Sequence, residues 1–213
     1  MSGIHLALLG MSFGGGVPEI GAAYAGGYFA GQISTAGNGV ADYNLVIAPK
    51  SSGESQKQCK TSSTSTSGTS SVIDGPTNSA NMNDASHPAA EFCEGLTIGG
   101  FSDWYMPAKN ELEVCYYNLK PTTESNDTAS GTNTNAVPSR SSNYTSGTPA
   151  RTSAVDFQSE VPPNQGFAGG NFYWASTQDS SSTNWSQIFT NGTQMGTGKV
   201  STLNVRAVRR VAV

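Results

Sequence analysis

The sequence predicts an α+β domain. Strand signals crowd the beginning and the end of the chain, and two helix-like segments lie together between them. The two kinds of segment do not alternate, as they would in a parallel-sheet fold. A length of 213 residues suits one domain with a short attachment segment. The expected division is an arm over residues 1–27 and a single domain over residues 28–213.

The arm opens with an apolar run, Met1 to Leu9, followed by Gly14-Gly15-Gly16 and Gly26-Gly27. The glycines give backbone freedom and little core. The segment reads as an attachment or oligomerisation arm, with a frayed terminus as the alternative. It lacks the basic start and the apolar length of a secretory leader, and no stretch of the chain has the length needed to cross a bilayer.

The domain opens with a hairpin. Residues 28–34 (Tyr-Phe-Ala-Gly-Gln-Ile-Ser) read as a strand, Asn38-Gly39 as a turn and Tyr43 to Ala48 as the returning strand, stopped by Pro49. Residues 51–71 are Ser/Thr-rich and of low complexity, and fit either a disordered segment or an exposed loop with its own turns. The first helix is expected over Ala85 to Leu96, with Ser86 as N-cap, Pro88 in the first turn and Ala89, Phe92, Cys93 and Leu96 on one face. The second is expected over Pro107 to Leu119, with Leu112, Cys115, Tyr116 and Leu119 on one face. The link between them carries Trp104, a core candidate, and Asp103, expected to accept local backbone N–H bonds.

Residues 122–170 hold no long periodic segment, only a strand-like fragment at Thr152 to Gln158. A loop of that length inside a domain is either a warning against the element assignment or a functional sign. The remainder is strand: 172–177, then 184–189 with Trp185, Gln187 and Phe189 alternating on one side, the turn Asn191-Gly192, and the closing Val205 to Val211.

Charged residues are only 12% of the chain, about half the usual share, so solubility must rest on hydroxyls, amides and backbone. Net charge is -4. Without a basic stripe to neutralise phosphates, nucleic acid is not an expected partner. The one basic cluster, Arg206, Arg209 and Arg210, is expected to pair with carboxylates or backbone. Cys59, Cys93 and Cys115 cannot all be bridged. Cys93 and Cys115 read as small buried hydrophobes, with a bridge between them as the alternative. His5 and His87 make no zinc spacing and no credible Ser-His-Asp set. Asp103, Glu111, Glu113 and Asp156 could supply a glycosidase pair, but nothing in the sequence fixes two of them across a cleft. The expectation is a protein that is not an enzyme and holds no cofactor.

Four pieces stand in order: Gly100-Phe101-Ser102-Asp103-Trp104-Tyr105-Met106-Pro107, Glu111-Leu112, Tyr173-Trp174-Ala175-Ser176-Thr177 and Val205-Arg206-Ala207-Val208-Arg209-Arg210. Together they resemble the C-type-lectin-like domain family of bacteriophage tail-fibre, tropism-determinant and bacterial surface proteins, from about residue 85 to the end. The opening, with Gly31-Gln32-Ile33 and Ala41-Asp42-Tyr43, is similar to that of phage structural proteins. The resemblance implies two helices packed on a twisted antiparallel sheet with long loops that carry ligand recognition. It also implies a virion tail location outside the cell, contacts of the arm with other tail or baseplate proteins, and a homotrimer. The implied function is non-covalent attachment to a host cell-surface glycan or protein. The alternative is a baseplate or decoration subunit that uses the fold for assembly only.

The expected ligand face is the stretch from Asn171 to Lys199, where aromatic contact area and adaptable amides occur together. Its candidate binding residues are Tyr173, Asn184, Trp185, Gln187, Phe189, Asn191, Thr193 and Gln194. Asn184, Gln187, Asn191, Thr193 and Gln194 are expected to be exposed, Trp174 to be core. The tripeptides of the family's calcium site do not occur, so no metal is expected.

Overall fold

The computed structural model describes residues 16–158, 164–168 and 170–213. Among them two five-stranded sheets and four helices form an α+β structure. The strands are β1 (Ala23–Tyr24), β2 (Gly27–Ile33), β3 (Tyr43–Ile47), β4 (Glu54–Gln58), β5 (Ala136–Val137), β6 (Phe172–Gln178), β7 (Thr183–Ile188), β8 (Gln194–Gly198), β9 (Thr202–Arg206) and β10 (Val208–Ala212). The helices are α1 (Lys50–Gly53), α2 (Gly75–Ala80), α3 (Pro88–Glu94) and α4 (Lys109–Leu119).

The first sheet runs β1-β2-β3-β10, with β5 added to β2. The second runs β4-β9-β6-β7-β8. All pairs are antiparallel except β6 with β9, which meet in parallel at Tyr173 and Asn204. β3 and β10 tie together segments far apart in sequence, in register from Tyr43 opposite Ala212 to Ile47 opposite Val208. β3 separates two cores. Leu45 and Ile47 face a cluster with Leu112, Cys115, Tyr116 and Leu119 of α4 and with Tyr173 and Phe189. Val46 and Ala48 face a second cluster with Cys93 of α3, Trp104, Trp174 and Val205. Alternation along a strand sends successive side chains to opposite faces, and here both faces are apolar because both are covered.

The expected opening hairpin is present as β2 and β3, and the expected α4 stripe is its buried face. Trp104 and Trp174 are both buried. Other expectations change. Residues 16–27, assigned to the arm, carry β1, which pairs with β2, and Gly21 N–H donates to Phe29 O at 2.8 Å. Residues 1–15 of that arm lie outside the described residues. The first helix is shorter than expected, and its N-cap residue is His87, which makes no side-chain cap bond. Ser86 is instead engaged backwards: its N–H and Oγ both donate to Asp84 Oδ1, at 2.8 and 2.5 Å. The Ser/Thr-rich run 51–71 contains β4, paired with β9 over its whole length. Its sequence, Glu-Ser-Gln-Lys-Gln, has no apolar side chain and so shows no strand period. Helix α2 begins where Asp74 Oδ1 accepts from Thr77 N–H at 3.3 Å. The strand-like fragment at 152–158 is a 3-10 turn over Val155–Phe157.

The three arginines near the C-terminus are structural, as expected. Arg206, 1% exposed, donates to Ala48 O and Gln165 O and lies 3.8 Å from Glu54. Arg210 donates to Glu111 at 2.8 Å. Arg209 forms a fork with Asp103 at 2.7 and 2.9 Å, so Asp103 serves an arginine chiefly, with a local backbone N–H bond beside it. Planar bidentate pairing of this kind favours Arg over Lys. Cys59, Cys93 and Cys115 are all free and buried. Burial pushes the Cys59 thiol up to about 12.

Candidate binding groove

Four of the eight expected ligand residues are inside the protein. Tyr173 is fully buried; its hydroxyl accepts from Ala168 N–H at 2.8 Å and donates to Glu54 at 3.1 Å. Phe189 is stacked on Phe167 with centroids 3.7 Å apart, and meets Tyr116 and Tyr173 edge-on. Asn184 donates to Ala175 O at 3.1 Å across the β6–β7 pair. Gln187 donates to Gly192 O and to the Tyr144 hydroxyl, at 3.2 and 3.3 Å. The expectation that Asn184 and Gln187 are exposed is therefore corrected, and Tyr173 and Phe189 are core residues. The physical cause is coverage. β7 lies between β6 and β8, and the loop after α4 folds back over it, laying Tyr144 on Gln187. Asn191 and Thr193 are half-buried and form a turn, with Asn191 Oδ1 accepting from Thr193 N–H and Oγ1 at 3.1 and 3.0 Å. Of the eight, Trp185 and Gln194 line a surface depression.

The covering loop is held by buried polar anchors. Glu113 of α4 is fully buried and accepts from Asn133 Nδ2 at 2.5 Å, from the Tyr144 hydroxyl at 2.7 Å and from Arg140. Burial raises the Glu113 pKa, and the Arg140 charge opposes that shift. A second anchor is Asn126, whose Oδ1 accepts from Tyr116 Oη at 2.6 Å and from Lys120 Nζ at 2.7 Å, and whose Nδ2 donates to Pro149 O at 2.9 Å. Buried polar groups need such partners, and satisfied networks fix one arrangement of a loop. Two glycines admit the Tyr144 ring. Gly131 (φ +114°) and Gly192 (φ +81°) each leave room that a Cβ would fill, at 2.3 Å from the Tyr144 ring and 2.3 Å from the Tyr116 ring respectively. Both also hold backbone angles that L side chains rarely adopt.

The outer surface of this pinned loop is a groove. Its central depression, about 310 Å³, is lined by Tyr117 of α4, Arg140, Asn143, Tyr144, Thr145, Thr148 and the serines 139, 141 and 142. Arg140 lies over the Tyr117 ring, 3.9 Å from its centroid. On one side a depression of about 140 Å³ shares Asn143 and adds Lys109, Trp185, Gln194, Ser130 and Thr132. On the other a depression of about 340 Å³ shares Tyr117 and Thr148 and continues to Gly147, Ala150 and Ser153. Lys109 Nζ stands 3.7 Å above the Trp185 ring. Burial lowers the Lys109 pKa, and Asp179 and Glu113 oppose that shift through their charge. The groove offers hydroxyl and amide donors and acceptors beside three aromatic residues, Tyr117, Tyr144 and Trp185, a set suited to non-covalent recognition of a polar ligand.

The residues that build the groove were not singled out in the sequence, apart from Trp185 and Gln194. The available signal was the length of the loop after α4. Tyr117 carried a weaker one, since it lies off the buried stripe of a helix whose neighbouring Tyr116 lies on it.

A separate hollow of about 530 Å³ lies beside the first sheet, with Val17, Pro18, Tyr24, Phe101, Ala212 and Val213 among its lining residues. Its walls are mainly apolar, with Gln32 and Asn44 as polar members, and Val17 and Val213 are 61% and 70% exposed. Among the described residues no group of three or more His, Cys, Asp or Glu side chains comes together to hold a metal ion. No described helix is long and apolar enough to cross a membrane.

No protein-family model matches the chain, and no curated protein matches it. Among solved structures the chain is similar to a fimbrial protein from Bacteroides ovatus, at 12% identity and a TM-score of 0.46, over 78% of this chain and 35% of that one. The chain thus spans about a third of that protein's length. A likeness at that level carries no inference about activity.

Proposed function

We propose that this chain is a receptor-binding protein of a bacteriophage tail, with a C-type-lectin-like domain that holds a host cell-surface glycan non-covalently in the groove between Trp185 and Tyr117. The observation that carries this reading is the groove itself: a hydroxyl- and amide-lined track with three aromatic residues, on a loop fixed from below by Glu113 and Asn126. A pinned loop keeps the ordering cost of binding small. A glycan suits the groove better than a protein does. A protein partner of standard size covers about 800 Å² on each side with buried aromatic anchors, whereas this groove is lined mainly by hydroxyl and amide side chains. The sequence resemblance supplies the virion location, the homotrimer and the contact of the N-terminal arm with other tail proteins.

Binding rather than catalysis is supported by the use made of the buried carboxylates. Glu111 is occupied by Tyr105, Arg210 and the Ala108 N–H, and Glu113 by three donors. Neither lines the groove. The mainly apolar hollow beside the first sheet favours a second reading, a baseplate or decoration subunit that docks there and ignores cells.

The test is binding of the fluorescently labelled chain to a panel of candidate host strains, with and without a calcium chelator, for the unaltered protein, Asn143→Ala and Ser142→Trp. Chelator-resistant binding to some strains, lost when Ser142→Trp fills the central depression, is expected. Binding that both variants retain would move recognition elsewhere on the surface. A folded protein that binds no strain but does bind virion proteins would favour the assembly reading.

A further inference from the structure

We propose that the ligand is a linear glycan lying lengthwise along the groove across three adjoining subsites, not a single terminal sugar held in one of them. This rests on the glycan reading above and adds the length of the ligand and its two ends. The central depression shares Asn143 with one neighbour, and Tyr117 and Thr148 with the other. The three therefore adjoin in order and run past α4 from its first turn to its third. The volumes, about 140, 310 and 340 Å³, make a shallow track, where a single deep pocket would suit one enclosed sugar.

The two outer subsites carry different chemistry. Lys109 at the Trp185 end is placed awkwardly for a purely structural residue. It is the first residue of α4, where the helix dipole disfavours a cation. It is half-buried, and among the described residues its ammonium group makes no hydrogen bond or ion pair; its contact is the Trp185 ring face. Asp179 acts on it through charge without pairing with it. Its N–H donors are thus available to a ligand oxygen at the edge of an aromatic platform. The far end, at Gly147, Thr148 and Ala150, is a wall of small exposed residues without a charged group, and an added Cβ at Gly147 meets nothing within 4 Å. That end accommodates the continuing chain rather than gripping a particular group.

The experiment uses the whole protein and linear oligosaccharides, from the single sugar upward, cut from the surface polysaccharide of the panel strains and titrated by calorimetry. Affinity is expected to rise with chain length, about tenfold per subsite filled, the worth of one good charge-assisted contact or its equivalent, and then to level off. Lys109→Met is expected to lower the affinity of the longest oligomer about tenfold. Gly147→Trp, which plugs the other end, is expected to shorten the length at which affinity levels off. Circular dichroism confirms that each variant is folded; if Lys109→Met does not fold, Gln194→Ala at the same subsite replaces it. Equal affinity for the single sugar and the longer oligomers, with both end substitutions silent, would overturn this proposal and leave the glycan reading standing. Binding to no oligosaccharide, with binding to a host surface protein instead, would remove the glycan reading and this proposal with it.

Discussion

Replacing Glu113 with Gln tests whether the groove is held up from below. The carboxylate is fully buried and accepts from Asn133, Tyr144 and Arg140. Glutamine keeps one acceptor oxygen and turns an NH2 group toward a donor, so at least one buried donor loses its partner and the Arg140 charge loses its counter-ion. Breaking a buried ion pair from one side costs about 3–5 kcal/mol. The Arg140 side chain is 14% exposed and can recover some hydration, which brings the expected loss to about 2–4 kcal/mol. With a urea slope of about 2 kcal/mol/M, the unfolding midpoint falls by about 1–2 M. The same substitution frees Arg140, so trypsin is expected to cut after that residue faster than in the unaltered chain under native conditions. Arg140→Met should lose less stability when combined with Glu113→Gln than when made alone, because the two residues form one unit. A stability change below about 1 kcal/mol, with tryptic cleavage at Arg140 unchanged, would refute the claim that Glu113 anchors the loop.

Three further outcomes follow from the same contacts. Gly192→Ala combines a disfavoured backbone angle with a Cβ 2.3 Å from the Tyr116 ring, and is expected to cost about 2–4 kcal/mol in urea unfolding; a change under about 0.5 kcal/mol would show that the Tyr116 and Tyr144 rings are not held as described. Phe189→Ala removes a fully buried ring stacked on Phe167 and is expected to cost about 3–5 kcal/mol, whereas Trp185→Ala, at the half-buried groove wall, should weaken binding with a much smaller effect on the unfolding midpoint. Hydrogen bonds from Ser86 and His87 hold Asp84 at about 2, below its ordinary 3.8. Its folded pKa is lowered, so its contribution to stability is present above about pH 4 and is lost as pH falls toward 2. Solvent exposure keeps that contribution under about 1 kcal/mol, and Asp84→Asn is expected to flatten the stability profile over that interval and to lower stability at pH 7 by that small amount, with the two proteins converging as pH falls toward 2.

Elements whose burial is written into their own residues were legible in the sequence. The stripe Leu112, Cys115, Tyr116, Leu119 specifies α4 and its buried face. The two apolar runs specify the opening hairpin, although its tight turn falls at 34–37, where Gly37 N–H donates to Ser34 O, and not at Asn38-Gly39. The arginines at 206, 209 and 210 find the partners that charge in an apolar strand requires. Elements that depend on a distant partner were not legible. β4 has no apolar side chain and exists because β9 offers it a complete edge. The ligand residues failed for the same reason. The 184–189 stretch has the composition of a binding face, but the loop after α4 returns over β7 and buries Gln187, while β6 buries Asn184. That return is set by Glu113, Asn126 and two glycines, none of which advertises its partner locally. The displaced surface is the outside of that loop, where Arg140, Asn143 and Tyr117 stand beside Trp185 and Gln194.

The central claim is that a host surface is recognised in the groove over that loop. The most direct measurement is the binding of labelled chain to the strain panel, compared between the unaltered protein and Ser142→Trp, with both shown to be equally folded by their urea midpoints. The account predicts binding to some strains by the unaltered protein and its loss in Ser142→Trp at unchanged stability. Equal binding by the two proteins would contradict it.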